Sequence, residues 1–92
     1  MEIYTHKNKD FEAHKIELHG KNLLVINGKI GFLACGYLNI DVAEKFNQPA
    51  AIVTGVKTFD DMSVAKIVAL TSASENLGLK LGMTGSDALE LF

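Results

Sequence analysis

Apolar and polar residues change period several times along this chain, and each change predicts a different element. Residues 1–10 carry no strong pattern and read as a flexible arm or a short edge strand. From Phe11 to Leu18 the alternation is rough. His14, Ile16 and Leu18 share one side and Lys15 and Glu17 the other, as in a half-exposed strand. His19-Gly-Lys-Asn22 is a turn by its glycine and asparagine. Leu23-Leu-Val-Ile26 is a second strand, apolar on both faces, and the Asn27-Gly28 behind it is the favoured dipeptide of a two-residue type I′ hairpin. A third strand then runs from Lys29 to Tyr37, antiparallel to the second.

The period next becomes helical. Asn39 or Asp41 caps a short helix over 40–47, with Val42, Ala43 and Phe46 as its apolar side, and Pro49 ends it. Ala50 to Val56 is a fourth strand. Strand, helix and strand over 30–56 form a compact crossover with parallel strands. Thr58-Phe-Asp-Asp61 is a capping-box pattern that opens a helical turn. Ile67, Leu70, Ala73 and Leu77 are spaced as a helix that stops at Gly78. The competing reading is a fifth strand, Lys66 to Leu70, followed by a helix capped at Ser72. Thr84-Gly-Ser-Asp87 caps a terminal helix whose apolar side is Ala88, Leu89 and Phe92. The expected architecture is a single α+β domain over 1–92. Its N-terminal, mainly antiparallel sheet has about four strands and contains the 30–56 crossover, and C-terminal helices pack on one face.

Length turns this pattern into a prediction of self-association. A chain of 92 residues buries only ~60–65% of its unfolded surface, yet 48% of its residues are hydrophobic. The inner strands are apolar on both faces, and the predicted helices are too few to cover both. Further copies of the chain are the simplest cover, through the N-terminal sheet.

Charge narrows the remaining classes. Nine basic and 11 acidic residues leave a net charge of −2, which is no footprint for a nucleic-acid backbone. Lys7, Lys9, Lys15 and Lys21 gather early but are interleaved with Asp10, Glu12 and Glu17, as on a solvated strand face. No stretch approaches the ~20 apolar residues of a membrane span, and the opening residues lack the pattern of a secretory signal. The expectation is a soluble, cytoplasmic protein without nucleic-acid or membrane partners.

Candidate chemistry gathers at two strand-to-helix junctions. Cys35, the only cysteine, follows an apolar run and precedes a helix start. It is a candidate nucleophile, with Lys57 or Asp60 lending charge or acid–base help, and its competing role is that of a small buried hydrophobe. Gly36 and Asn39 form a turn whose backbone N–H groups suit an anion. Gly55, Lys57, Thr58 and Asp60 form a second junction, expected beside the first at the carboxyl ends of parallel strands. The two junctions together suggest a binding site for a small anionic ligand. The chain has no glycine-rich nucleotide fingerprint. His14 and His19 alone do not define a metal site, and no metal or cofactor is expected.

Three segments carry a family resemblance: Gly31-Phe-Leu-Ala-Cys-Gly-Tyr-Leu-Asn39, Ala51-Ile-Val-Thr-Gly-Val-Lys-Thr-Phe-Asp-Asp-Met62 and Leu77-Gly-Leu-Lys-Leu-Gly-Met-Thr-Gly-Ser-Asp-Ala-Leu89. From about residue 11 onward the chain resembles the YunC-like family of small uncharacterised bacterial and archaeal domains. The resemblance implies an α+β fold whose N-terminal sheet serves tetramerisation. It implies no activity, cofactor or residue role.

Overall fold

The computed structural model describes residues 1–92. The first three strands are β1 (Glu2–His6), β2 (Lys9–Leu18) and β3 (Lys21–Asn27), joined as consecutive antiparallel hairpins. Residues 1–10 are thus an edge strand, its turn and the start of β2 rather than a flexible arm. Both hairpins turn through two residues of positive φ, Lys7 (50°) and Asn8 (66°), then His19 (47°) and Gly20 (87°). That is the backbone signature of a type I′ turn, whose twist matches the flanking strands.

The turn predicted at Asn27-Gly28 lies elsewhere. β3 pairs antiparallel with β4 (Phe32–Ala34), but the ladder continues through Gly28, whose N–H donates to the Gly31 carbonyl at 2.8 Å. The chain reverses at Lys29 and Ile30 without positive φ. Gly28 is needed here for close approach, because a Cβ on it would lie 2.7 Å from the backbone of Phe92.

From β4 the chain crosses through α1 (Ile40–Lys45) to β5 (Ala50–Ile52), which runs parallel to β4. Asn39 caps α1 by accepting from the Asp41 N–H. Of its expected apolar side only Ala43 is buried, and Val42 and Phe46 are exposed. Next come α2 (Phe59–Val64), β6 (Ala69–Leu70), α3 (Ser72–Asn76) and α4 (Gly85–Leu91). The sheet has six strands in the order β1 to β6, instead of about four.

The helix expected from Ile67 does not form. The edge of β5 captures this segment: the Val68 N–H donates to Ile52 and the Thr71 N–H to Ala50. α3 starts later, capped by Thr71 rather than Ser72. Gly78, at φ +107°, ends it as anticipated. The helical spacing of Ile67, Leu70, Ala73 and Leu77 is thus overridden by an unpaired strand edge, a tertiary demand that the period does not register.

Alternation along the strands assigns the two sheet faces. Phe11, Leu24, Ile26, Leu33, Cys35, Ala51 and Val53 share one buried cluster with Met62, Ala88, Leu89 and Phe92. α2 and α4 cover this face. On β2 the core face is therefore Phe11 and Ala13, and His14, Ile16 and Leu18 look the other way. Ala34, Ala50 and Ile52 point to the opposite face and are also buried, with α1 and α3 against β5. The helices are thus shared between the two faces instead of gathered on one.

The outer face of β1–β3 has no helix over it. Polar contacts pin the N-terminal hairpin to the helices on its inner face. The Tyr4 hydroxyl donates to Asp60 at 3.0 Å, His6 Nε2 meets Ser86 Oγ at 2.8 Å, and Lys7 pairs with Glu90 at 2.8 Å. No helix is long and apolar enough to cross a membrane.

Candidate functional site

Topology brings three chain segments to one edge of the sheet. β4 and β5 are parallel, so residues 35–37 and 54–57 leave the sheet side by side. β3 is antiparallel to β4, so its first residues start at the same edge. Together Gly20–Asn22, Cys35–Tyr37 and Thr54–Lys57 line a cleft of ≈ 670 Å³. Such an edge, at the carboxyl ends of parallel strands, is where open α/β sheets hold ligands.

Local geometry shapes the walls. Gly55 has φ +72°, a left-handed conformation that favours glycine. A Cβ on Gly36 would come 3.3 Å from Thr54 Cγ2, so the two loops approach closely because residue 36 has no side chain. The Asn22 amide donates from Nδ2 to the Lys57 carbonyl at 3.1 Å and ties the second loop to the start of β3. Behind the loop, Thr58 and Asp61 form a capping box. The Lys57 and Thr58 N–H groups both donate to Asp61 Oδ2, at 3.0 and 3.2 Å.

The cleft is rich in donors. The backbone N–H groups of Gly36, Tyr37, Thr54, Gly55 and Val56 donate to no acceptor in the chain. Lys21 and Lys57 are both among the lining residues, Lys21 from the face of the sheet that it shares with Leu18, and neither ammonium has a carboxylate within ion-pair distance. A second cavity, of ≈ 550 Å³, mixes Lys9 and Lys29 with Asp10 and Glu12 and so has no comparable preference for one sign of charge.

The residues singled out in the sequence separate into two groups. Cys35, Gly36, Gly55 and Lys57 meet in the cleft, and Asn39, Thr58 and Asp60 do not line it. Asn39 and Thr58 are helix caps. Asp60 is held by Tyr4. Burial, with the Asp60 carboxylate beside it, pushes the Tyr4 phenol above its ordinary value. Cys35 is only 4% exposed. Its thiol donates to the Asn22 carbonyl at 3.9 Å and accepts from the Leu24 N–H at 3.3 Å, which is the environment of a packed side chain. Sequence reasoning missed Gly20, Lys21, Asn22 and Thr54, and did not single out Tyr37 and Val56 within the two junctions. Lys21 and Asn22 were legible in principle, since an antiparallel β3 must begin where β4 ends.

Comparison with known proteins adds relationship without chemistry. Residues 34–92 match the family model described as Domain of unknown function (DUF1805). The chain is 30% identical over 87 residues to the uncharacterized protein YunC of Bacillus subtilis (strain 168), across 90% of this chain and 86% of that one. The crystal structure of a protein of unknown function, TA1206 from Thermoplasma acidophilum, is similar with a TM-score of 0.90. That match covers 97% of this chain and 87% of the other, at 31% sequence identity. The family match includes two walls of the cleft, Cys35–Tyr37 and Thr54–Lys57, and begins after β3.

Proposed function

The chain belongs to the family described as Domain of unknown function (DUF1805), a description that names no reaction, and we propose from the geometry that it is a small-anion-binding module that assembles with copies of itself. The observation that carries the binding reading is the set of five backbone N–H groups without acceptors, on the same walls as two unpaired lysines. Successive backbone amides left without acceptors can form an anion-binding concavity, and the two lysines among the lining residues favour a negative occupant.

A melting experiment tests it. Inorganic phosphate at ~100 times its dissociation constant stabilises the native state by about 2.7 kcal/mol, which raises the melting temperature by roughly 10–20 °C in a chain of this size. Lys57→Ala is expected to remove most of that shift while leaving the melting temperature without phosphate nearly unchanged. Identical melting in phosphate, sulfate and chloride at matched ionic strength would rule the cleft out as an anion site.

Self-assembly is supported by the outer face of β1–β3. Ile3 and Ile16 are 60% and 54% exposed there, beside half-buried Leu23 and Val25. Ile16 pairs with Leu23 and His14 with Val25, so these side chains form one strip across the strands. We assign this strip to contact with further copies in a tetramer. Sedimentation of the wild type is expected to give a four-chain species, and Ile16→Lys a smaller one, because an unpaired ammonium is costly to bury. A wild-type monomer at micromolar concentration would remove this part of the reading.

A further inference from the structure

Three features of the cleft go unused when it holds a bare anion. The first is its size. A phosphate group, no larger than a few waters of ~30 Å³ each, leaves most of ≈ 670 Å³ unfilled. That volume lies in the usual range of ~300–1,000 Å³ for sites of organic ligands. The second is Tyr37, which lines the cleft yet is 53% exposed, and whose hydroxyl makes no hydrogen bond within the chain. A half-exposed aromatic ring that neither packs into the core nor anchors a loop contributes little to the fold. Beside an anion site it offers a flat apolar surface to whatever carries the anion. The third is Val56, a further apolar group on the same lining.

Charge adds a constraint. Two unpaired ammonium groups match the −1.5 to −2 that a phosphate monoester carries near neutral pH, according to its second ionisation.

We infer that the cleft takes a phosphate monoester bearing a flat ring, the class of nucleoside monophosphates, with the phosphate against the backbone amides and lysines and the ring on Tyr37. This inference rests on the anion-binding reading and adds to it the identity of the group beyond the phosphate. Stacking of a base on an aromatic side chain contributes ~1–3 kcal/mol, or roughly 5- to 150-fold in affinity.

Calorimetric titration of the full chain with adenosine monophosphate, ribose 5-phosphate and adenosine tests both layers separately. Adenosine monophosphate is expected to bind roughly 5- to 150-fold more tightly than ribose 5-phosphate, and adenosine more weakly than either. Tyr37→Ala should erase that advantage and leave ribose 5-phosphate unaffected, whereas Tyr37→Phe should keep it. Equal affinity of the two phosphates for the wild type would overturn the ring assignment and leave the anion site standing. An advantage that survives Tyr37→Ala would overturn the role of Tyr37. Binding of neither phosphate would overturn the inference together with the reading beneath it.

Discussion

Gly85→Ala is expected to be the most damaging single methyl addition in this protein. Gly85 opens α4 where that helix crosses α2, and its N–H donates to the Ala65 carbonyl at 2.9 Å. A Cβ there would fall inside the contact distance of the Met62 carbonyl oxygen and 2.9 Å from Leu33 Cδ2. The obstacle is the backbone of α2 at its buried residue Met62, so no rotamer change relieves it. Either α4 moves away from the sheet or α2 does, and Met62 and Leu33 both lie in the centre of the main core. Overpacking costs ~1–3 kcal/mol when side chains can adjust, and more when they cannot; about 4 kcal/mol is expected here. Total stability for a chain of this length is roughly 5–14 kcal/mol. In urea, with a slope near ~1–1.5 kcal/mol per molar, the midpoint should fall by about 3 M. A midpoint within ~0.5 M of the wild type would show that α4 is not seated against Met62 as described.

Thr71→Val should be the most damaging change that keeps volume constant. The Thr71 hydroxyl is fully buried. It donates to the Gln48 carbonyl at 2.7 Å and accepts from the N–H groups of Ala50 and Ser74, at 3.1 and 3.3 Å. One oxygen thus starts β5, caps α3 and fixes the chain that enters β5 from α1. Valine fills the same space but leaves two buried amides and the part-buried Gln48 carbonyl unpaired. Each such loss costs ~1–3 kcal/mol. Partial relaxation lowers the sum, and about 3–4 kcal/mol is expected in the same urea titration. Thr71→Ser keeps the hydroxyl and should cost only about 1 kcal/mol, the value of one buried methyl. Equal destabilisation by serine and valine would assign the effect to the methyl and remove the hydroxyl from the account.

These two sites also mark where the sequence was and was not legible. The caps at Asn39, Thr58 and Thr84 could be read because a capping side chain and its target amide lie within three residues. The β4–α1–β5 crossover was legible too, since turn residues bound its strands. At Thr71 the cap to Ser74 is local, but the partners Gln48 and Ala50 lie 23 and 21 residues away and leave no local signature. Helical spacing from Ile67 to Leu77 then pointed to the wrong element.

Positive φ at Lys7 and His19 was hidden for a different reason. Lysine does not favour it and histidine adopts it only as a minority conformation, and the turns form because the strands on both sides pair. Of the cleft, the two junction loops were readable as strand ends. Lys21 and Asn22 required knowing which strand lies beside which. The Tyr4–Asp60 contact, across 56 residues, has no local signature.

The strand order β1 to β6 also bears on how the chain reaches its fold. Every strand neighbours the next one made, so most pairings close over short loops and each hairpin can zip onto the one before it. Such local connectivity favours fast folding, because little loop entropy is lost before contacts form. The exception is α4. It must meet β4 and also grip the β1–β2 hairpin across 80 and 83 residues, through His6–Ser86 and Lys7–Glu90. The sheet can therefore assemble in the order of synthesis, and the final helix acts as the latch that closes it.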